Sequence, residues 1–420
     1  MIALGQPRGV VSVLGAQIAV VGVNKLKKRG NRVAIATRIY RPEPAAAVFR
    51  IGALVDELSA EGISVNVLTT RHRGYLPTEP ILPANVRVSG WPVVRNRDGY
   101  VRGYVSYLSF DIPLFFRLLA TKRPAVIVVE PPPTSGAVTR LVSRIRKLPY
   151  VAYLPDLWAD GTAATNAPRL VKLVVRLLER FSLRGAAAVV ASTPEIARRA
   201  EELHGVPAER VKVVRNGIDT DIFSPNGPLH RDAPRGPYAI YAGTASEWQG
   251  ADILIAAWAQ VIAKVPNATL IFLGQGHQRA AMETHIRSLP DGGASVRLLP
   301  RVPAAEAASW LRGASASLCT MVPDSGYDYF LPTKVFAGAA CGTPVLYSGP
   351  GPAAQLVSDN NLGLAVPFDV TAVANALVDL LQTPVDEQQR QYRAHWAQEY
   401  ASLKRVGKQT AKIVLEAAEV

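Results

Sequence analysis

From Val33 onward the chain alternates short apolar runs rich in β-branched residues with segments of helical periodicity, and it does so in two successive sets. A parallel strand pair needs a crossover, usually a helix, and strands covered on both faces read as continuous apolar runs. The pattern therefore predicts an α/β protein with doubly wound parallel sheets. Expected strands of the first set are Val33–Ala36, Val65–Thr69, Val126–Val129, Val151–Leu154, Ala188–Ala191 and Val211–Val214, with a helix from about Ala45 to Glu61 stopped by Gly62. The second set is Ala239–Ala242, Thr269–Leu273, Val296–Leu299, Ala316–Cys319 and Pro344–Tyr347. Its helices are expected near Ala251–Val265, His277–Ser288, Ala304–Gly313 and Thr333–Ala340, followed by a charged helical tail over Thr371–Leu381 and Glu387–Val420. Asn216 to about Arg235, rich in Asp, Pro and Gly, marks the boundary. The expected organisation is an extension over 1–30, a first domain over 31–218, a linker over 219–235, a second domain over 236–385 and terminal helices over 386–420.

At 420 residues the chain can hold two domains, each with a large core. The only cysteines, Cys319 and Cys341, lie in apolar runs and form no Cys-x-x-Cys pair, which points to a reducing compartment and away from structural zinc. The six histidines are scattered, and no metal site is assigned. Charge is placed unevenly: residues 1–220 hold 32 Lys and Arg against 16 Asp and Glu, whereas residues 221–420 hold 15 against 17. Either the first domain faces an anionic surface or its helices carry solvated basic faces. No basic–aromatic motif accompanies the charge, so nucleic acid is not expected as a partner. Arg169, Lys172, Arg176, Arg180 and Arg184 follow helical spacing beside Leu170, Val171, Leu173, Val174, Val175, Leu177, Leu178 and Phe181. An interfacial helix and a core-packed helix with a basic outer face both fit, and the apolar side is expected in the core. In the first 30 residues an apolar run of 14, Val10 to Val23, precedes Lys25, Lys27, Lys28 and Arg29. It is too short to span a bilayer and carries its charge on the wrong side for a signal peptide, so a weakly packed extension is expected.

The segment Leu331-Pro332-Thr333-Lys334-Val335-Phe336-Ala337-Gly338-Ala339-Ala340-Cys341-Gly342-Thr343-Pro344-Val345-Leu346 reads as a loop, a small-residue helix with Thr333 as its cap, a Gly stop and a buried strand. A helix start with Lys334 in its first turn can hold an anion. This segment resembles the donor-binding helix of retaining GT-B glycosyltransferases of the family 4 type, in the branch that reads Pro-Ser/Thr-Lys. Further motifs follow in the family's order. Ile39-Tyr40-Arg41-Pro42-Glu43-Pro44 is similar to its acceptor-side loop, Asp156-Leu157-Trp158 to its mid-domain loop and Ala191-Ser192-Thr193-Pro194-Glu195 to a strand-to-helix turn. Val214-Arg215-Asn216-Gly217-Ile218-Asp219 with Phe223 and Pro225 resembles its linker, and Tyr241-Ala242-Gly243-Thr244 with Gln249-Gly250 and Asp252 its phosphate loop.

The resemblance implies a GT-B fold, two Rossmann-like doubly wound domains facing a cleft, the first taking the acceptor and the second a nucleotide-sugar. It implies a metal-independent, retaining sugar transfer with the nucleotide-sugar as substrate and no separate cofactor. Donor-binding positions carried over are Gly243, Thr244, Gln249, Gly250, Arg301, Ser325, Gly326, Tyr327, Thr333 and Lys334. Lys334 and Asp156 are the catalytic candidates, and Arg41 and Glu43 the acceptor side. The sequence departs from the family where an Arg and a Lys usually stand, here Thr244 and Gln249. It departs again in the paired Glu motif, whose places are taken by Tyr329 and Ala337, the latter unable to accept a hydrogen bond through its side chain. Either Asp324 or Asp328 substitutes from the preceding loop, or the grip on the nucleotide is weaker or rearranged. The bland alternatives are a tight turn for Gly243, a polar surface loop for residues 323–329 and helix capping for Asp156. Gly274-Gln275-Gly276 lacks the third glycine of a dinucleotide fingerprint, Arg279 standing in its place, so a nicotinamide cofactor is not expected. The expected function is sugar transfer to a glycan or lipid-linked acceptor in envelope or polysaccharide assembly, in the cytoplasm or on the inner face of the plasma membrane. Its alternatives are a sugar-nucleotide epimerase and a sugar-binding pseudoenzyme. In the family a terminal helix crosses back to the first domain, with Trp396 and Tyr400 as the expected anchors.

Overall fold

The computed structural model describes residues 31–43, 46–71, 82–96, 101, 103–163, 167–274 and 279–419. Residues 1–30, Pro44, His72, Gln275, Gly276 and His277 lie outside them. The chain divides into two compact units, Met1–Val214 joined by Val406–Val420, and Arg215–Arg405.

The first unit is built on a parallel sheet of β1 (Arg32–Ala36), β2 (Ser64–Thr70), β3 (Val86–Trp91), β4 (Val126–Val129), β5 (Tyr150–Leu154), β6 (Ala188–Ala191) and β7 (Val211–Val213), in the order β3-β2-β1-β4-β5-β6-β7. β1 and β4 are neighbours from which the chain winds in opposite directions, so their carboxyl ends form the switch point where open α/β sheets place ligands. One face carries α1 (Ala46–Ala60). The connections from β3 to β7 supply α2 (Tyr104–Ala120), α3 (Pro133–Arg146), α4 (Trp158–Ala163), α5 (Arg169–Arg184) and α6 (Pro194–His204). Right-handed crossovers running one way along the sheet put α2, α3 and α5 on the face opposite α1. α6 shows why these residues start and stop a helix: the Thr193 hydroxyl accepts from the Ile196 N–H at 3.2 Å, Pro194 opens the first turn, and Gly205 closes it in the left-handed region.

The second unit repeats the plan with β8 (Tyr238–Ala242), β9 (Thr269–Leu273), β10 (Val296–Leu299), β11 (Ala316–Thr320), β12 (Val345–Ser348) and β13 (Gly363–Val366), ordered β10-β9-β8-β11-β12-β13 and all parallel. Its switch point lies between β8 and β11. Its helices are α7 (Asp252–Lys264), α8 (Arg279–Arg287), α9 (Ala304–Gly313), α10 (Thr333–Ala340), α11 (Pro352–Asp359), α12 (Val370–Gln382) and α13 (Glu387–Tyr400). α14 (Leu403–Ala418) belongs to the first unit apart from its first turn.

Sequence periodicity missed two strands, β3 and β13. Both are edge strands: β3 interrupts its apolar residues with Arg87, Ser89 and Gly90, and β13 is short and opens on Gly363. The tail, read as one helical stretch from Glu387, breaks at Ala401 and Ser402. There the Ile218 N–H donates to the Ala401 carbonyl at 2.8 Å and the Leu403 N–H donates to the Ile218 carbonyl at 2.9 Å. The anchors of the terminal helix also differ from expectation. Trp396 is buried in the second unit, its ring centroid 6.5 Å from that of Phe336, and Tyr400 is exposed. Val406, Ala411, Val414 and Leu415 enter the first unit's core instead. Gly407 allows the approach, because a Cβ there would lie 2.5 Å from the Ala53 carbonyl oxygen.

Candidate functional site

In the second unit the carboxyl ends of β8 and β9 carry Gly243 and Gly274. Gly243 has φ 128° and Gly274 has φ 153°, both in the region that favours glycine. A Cβ on Gly274 would fall 2.2 Å from the Gly243 carbonyl oxygen, and one on Gly243 would fall 3.0 Å from Lys334 Cε. The two glycines thus leave a bare backbone ledge with Lys334 across it. Beside the ledge a small recess is lined by Tyr241, Phe272, Gly274, Arg279, Met282 and Leu298, among others.

Lys334 lies in the first turn of α10, whose cap is Pro332, not Thr333. Thr333 is the first helical residue and makes no capping bond, because the preceding proline already occupies the extended cap position. The ammonium of Lys334 donates to the Thr244 carbonyl at 3.2 Å and sits 4.8 Å from the Tyr241 ring centroid. Burial pulls its pKa below the usual lysine value. The Tyr241 hydroxyl donates to Gln249 Oε1 at 2.9 Å, which also accepts from the Ser246 N–H at 3.2 Å. Gln249 is buried, so its side-chain oxygen closes the loop from inside. Gly250, with φ 57°, packs where a Cβ would lie 2.5 Å from Val322.

The loop between β11 and α10 is fastened to the loop after β8 by the Val322 N–H, which donates to the Trp248 carbonyl at 3.0 Å. Tyr327 stacks near Trp248 at 5.0 Å and Phe330 at 5.1 Å, so its ring helps to build the loop. Asp324 (φ 56°) and Gly326 (φ 79°) turn the chain around Ser325, whose hydroxyl lies 3.5 Å from Asp328 Oδ1. Ala337 is half-buried on α10, and Arg301 is exposed just after the edge strand β10. Gly243, Thr244, Gly250, Lys334 and the Ser325–Tyr327 turn are gathered at the carboxyl end of the sheet around its switch point. Arg301 stands at its margin.

In the first unit the switch point holds a buried polar cluster. Glu130, directly after β4, accepts from the Thr37 hydroxyl at 2.8 Å and from Arg50 at 3.0 Å. Arg38, just past β1, is buried, with its guanidinium 4.2 Å from the Tyr107 ring centroid and 5.7 Å from that of Trp158. Desolvation lowers its pKa. Asp156 follows β5. Burial pushes its carboxyl up to about 6, with Arg50 opposing and the neighbouring carboxylates Glu179 and Glu130 adding to the rise. Its Oδ1 is buried without a hydrogen-bond partner. Helix capping does not account for Asp156, because Glu179 takes the N–H groups of Trp158 at 2.8 Å and Ala159 at 3.0 Å at the start of α4.

The two acceptor-side candidates are engaged in ion pairs. Arg41 forms a two-pronged bond to Asp56 at 2.8 and 2.6 Å, and Glu43 accepts from Arg95 at 2.7 Å. Arg95 also donates to the Thr70 hydroxyl and the Arg71 carbonyl, both at 3.0 Å. Sequence reasoning does not single out Arg95 and Glu130, and it reads Arg38 as a group that could be an ordinary surface charge, whereas the structure buries it. The usable signal was position, since Arg38 and Glu130 stand directly past the carboxyl ends of strands.

Two parallel-sheet, Rossmann-like domains, each with a polar cluster at its switch point, define the GT-B class of fold. Residues 46–217 match the family described as Glycosyl transferase 4-like domain, and residues 236–383 match Glycosyl transferases group 1. The chain is therefore a glycosyltransferase of the GT-B type, assembled from these two domains. A D-inositol 3-phosphate glycosyltransferase of Frankia alni is 26% identical over 351 residues, covering 78% of this chain and 84% of the relative. Among solved structures, sucrose-phosphate synthase from Thermosynechococcus elongatus superposes with a TM-score of 0.70 at 18% identity, covering 90% of this chain and 97% of that one. Anabaena HepE, solved in complex with UDP and glucose, superposes with a TM-score of 0.66 at 18% identity, covering 90% and 98%. At these identities the structural likeness establishes the fold alone.

Proposed function

We propose that the protein moves a sugar from a nucleotide-sugar to an acceptor hydroxyl with retention of configuration and without a bound metal. The observation that carries this reading is the glycine ledge of the second unit with Lys334 across it. Bare backbone admits a diphosphate closely, and a cation at a helix start stabilises the charge that develops as the diphosphate leaves. In a retaining step the sugar–oxygen bond to the diphosphate breaks while the acceptor oxygen attacks the same face. The departing phosphate oxygen takes the acceptor proton. Lys334, the N-terminal N–H groups of α10 and the backbone around Gly243 would hold the leaving group, and Ser325–Tyr327 the sugar. The HepE complex, which contains UDP and glucose, supports a nucleotide-sugar as the donor.

The acceptor is assigned to the first unit, where Asp156 with its raised pKa and Arg38 stand at the switch point. The Frankia relative acts by its name on an inositol phosphate, and the basic first unit suits an anionic acceptor of that kind or a lipid-linked one. A lipid-linked acceptor would place the protein at the inner face of the plasma membrane, in envelope or polysaccharide assembly. A second reading, a sugar-binding protein without turnover, is favoured by Ala337 and by Thr244 and Gln249, which stand where the family usually has an Arg and a Lys. The test is a screen of nucleotide-sugars by thermal stabilisation, followed by transfer assays and assignment of the product anomer by NMR. Retained configuration with a chelator present is the expected result. An inverted product, or stabilisation by donors without transfer to any hydroxyl acceptor, would overturn the reading.

A further inference from the structure

α5 buries only part of its apolar side: Val171, Val175, Leu178 and Phe181 are half-buried, and the rest stays outside, contrary to expectation. Leu170, Leu173, Val174 and Leu177 are all exposed, Leu170 at 70%. The reason is visible in the packing. α3 lies between α2 and α5, and α5 also meets α4 and α6, yet these contacts leave the outward stripe of α5 uncovered. α2 shows the same arrangement: Phe110, Leu114 and Leu118 are buried, while Val105, Leu108, Ile112 and Phe116 form a second stripe that faces outward, Phe116 at 63%. On α3, Ile145 is 61% exposed. Three neighbouring helices of 17, 14 and 16 residues therefore present apolar side chains on one side of the first unit. With helices spaced by ~8–10 Å and rising ~1.5 Å per residue, the face measures about 20 Å by 25 Å, the size at which exposed apolar surface marks an interaction site.

The charge on this face selects its occupant. The same helices carry Arg140, Arg144 and Arg146 on α3 and the five cations from Arg169 to Arg184 on α5, whereas Arg117 of α2 turns to the Thr69 and Ser89 carbonyls. Their only carboxylates, Asp111 and Glu179, are both 2% exposed and turned inward. A second copy of the chain would bring positive charge against positive charge. Nucleic acid would meet the cations but gain nothing from Leu, Ile and Val. An anionic bilayer satisfies both, since acyl chains accept the apolar stripes and lipid phosphates the surrounding Arg and Lys. No described helix is long and apolar enough to cross a membrane, so the contact is lateral.

We propose that the outward face of α2, α3 and α5 is a bilayer-docking surface whose apolar side chains enter the interface of an anionic leaflet, with the cations gathered around them. The proposal rests on the reading that the basic first unit meets a membrane, and it names the surface and the mode of attachment. Attachment then has two separable parts, a salt-sensitive one from the cations and a salt-resistant one from the apolar stripes.

The full chain is tested by co-sedimentation with vesicles of phosphatidylglycerol mixed with phosphatidylcholine, and with phosphatidylcholine alone, at low and high salt. Binding to the anionic vesicles is expected, with a fraction retained at high salt. Combined Ile112→Asn, Phe116→Asn, Leu173→Asn and Leu177→Asn should remove the retained fraction and weaken low-salt binding by about tenfold or more. Replacing Arg169, Lys172, Arg176, Arg180 and Arg184 by Gln should weaken low-salt binding alone. Because all four apolar positions are exposed, the melting temperature should be unchanged; if it falls, the pairs Ile112/Phe116 and Leu173/Leu177 are substituted separately. Wild-type binding in the apolar variants, or loss of binding when the chain is begun at Gly30, would overturn the face while leaving the membrane reading standing. Absence of binding by the wild type to anionic vesicles would overturn both. A wild-type dimer dissolved by the same substitutions would make the face a self-interface and also overturn the proposal.

Discussion

Replacing Lys334 by Ala separates what this side chain does for the fold from what it does for chemistry. Its contacts within the unit are one hydrogen bond to the Thr244 carbonyl at 3.2 Å and an approach to the Tyr241 ring at 4.8 Å. A hydrogen bond from a charged group contributes ~1.5–3 kcal/mol and a cation–π contact ~0.5–1 kcal/mol. The desolvation that lowers the lysine pKa offsets part of this, leaving a net loss of about 1–2 kcal/mol and a fall of only a few degrees in melting temperature. Turnover should suffer far more. A donor that meets charge developing only in the transition state is worth ~10²–10³-fold in kcat, or about 2.7–4 kcal/mol. Lys334→Met keeps the stem over Gly243 while removing the charge, so it should share the loss of turnover with a smaller loss of stability. Lys334→Arg should not rescue it, since Cε already stands where even a Cβ on Gly243 would come within 3.0 Å. The assay is initial rate at saturating donor beside a thermal melt of each variant. Near-wild-type rates in both the Ala and Met variants would refute the role given to Lys334.

Three further outcomes follow from the same geometry. Burial raises the Asp156 carboxyl to about 6, so the stability it contributes is complete below the ordinary aspartate pKa and is lost as pH rises through about 6. Asp156→Asn should lack that loss and be more stable by about 2–3 kcal/mol above pH ~7; denaturant melts in which both proteins decline in parallel across this range would sink the argument. Gly274→Ala puts a Cβ 2.2 Å from the Gly243 carbonyl oxygen at a φ of 153°, and should cost about 1–3 kcal/mol or more and weaken nucleotide-sugar binding, as read by calorimetry. Trp396→Ala removes the ring packed beside Phe336 and the indole bond to Asn360 Oδ1 at 3.0 Å, and should cost ~3–5 kcal/mol in a chemical melt.

What the sequence determined by itself is local. Runs such as Val126–Val129 and Leu270–Leu273 are apolar throughout because both sides of a central parallel strand are covered, and that composition survives in one dimension. The start of α10 was equally legible, because a loop proline, a lysine and a closing glycine lie within one short segment. Tertiary structure decided everything that depends on which neighbour arrives from far along the chain. Val86–Trp91 and Gly363–Val366 are strands only because β2 and β12 offer them an edge to pair with. Arg41 and Glu43 looked available until Asp56 and Arg95 were brought beside them. Gln249 faces inward because Tyr241 reaches it, and Asp156 has a raised pKa because the fold buries it, with Glu179 and Glu130 from elsewhere in the chain adding to the rise. The outward stripe of α5 is the clearest case. Amphipathic periodicity states that a helix has an apolar side, but only the packing of its neighbours decides whether that side is covered.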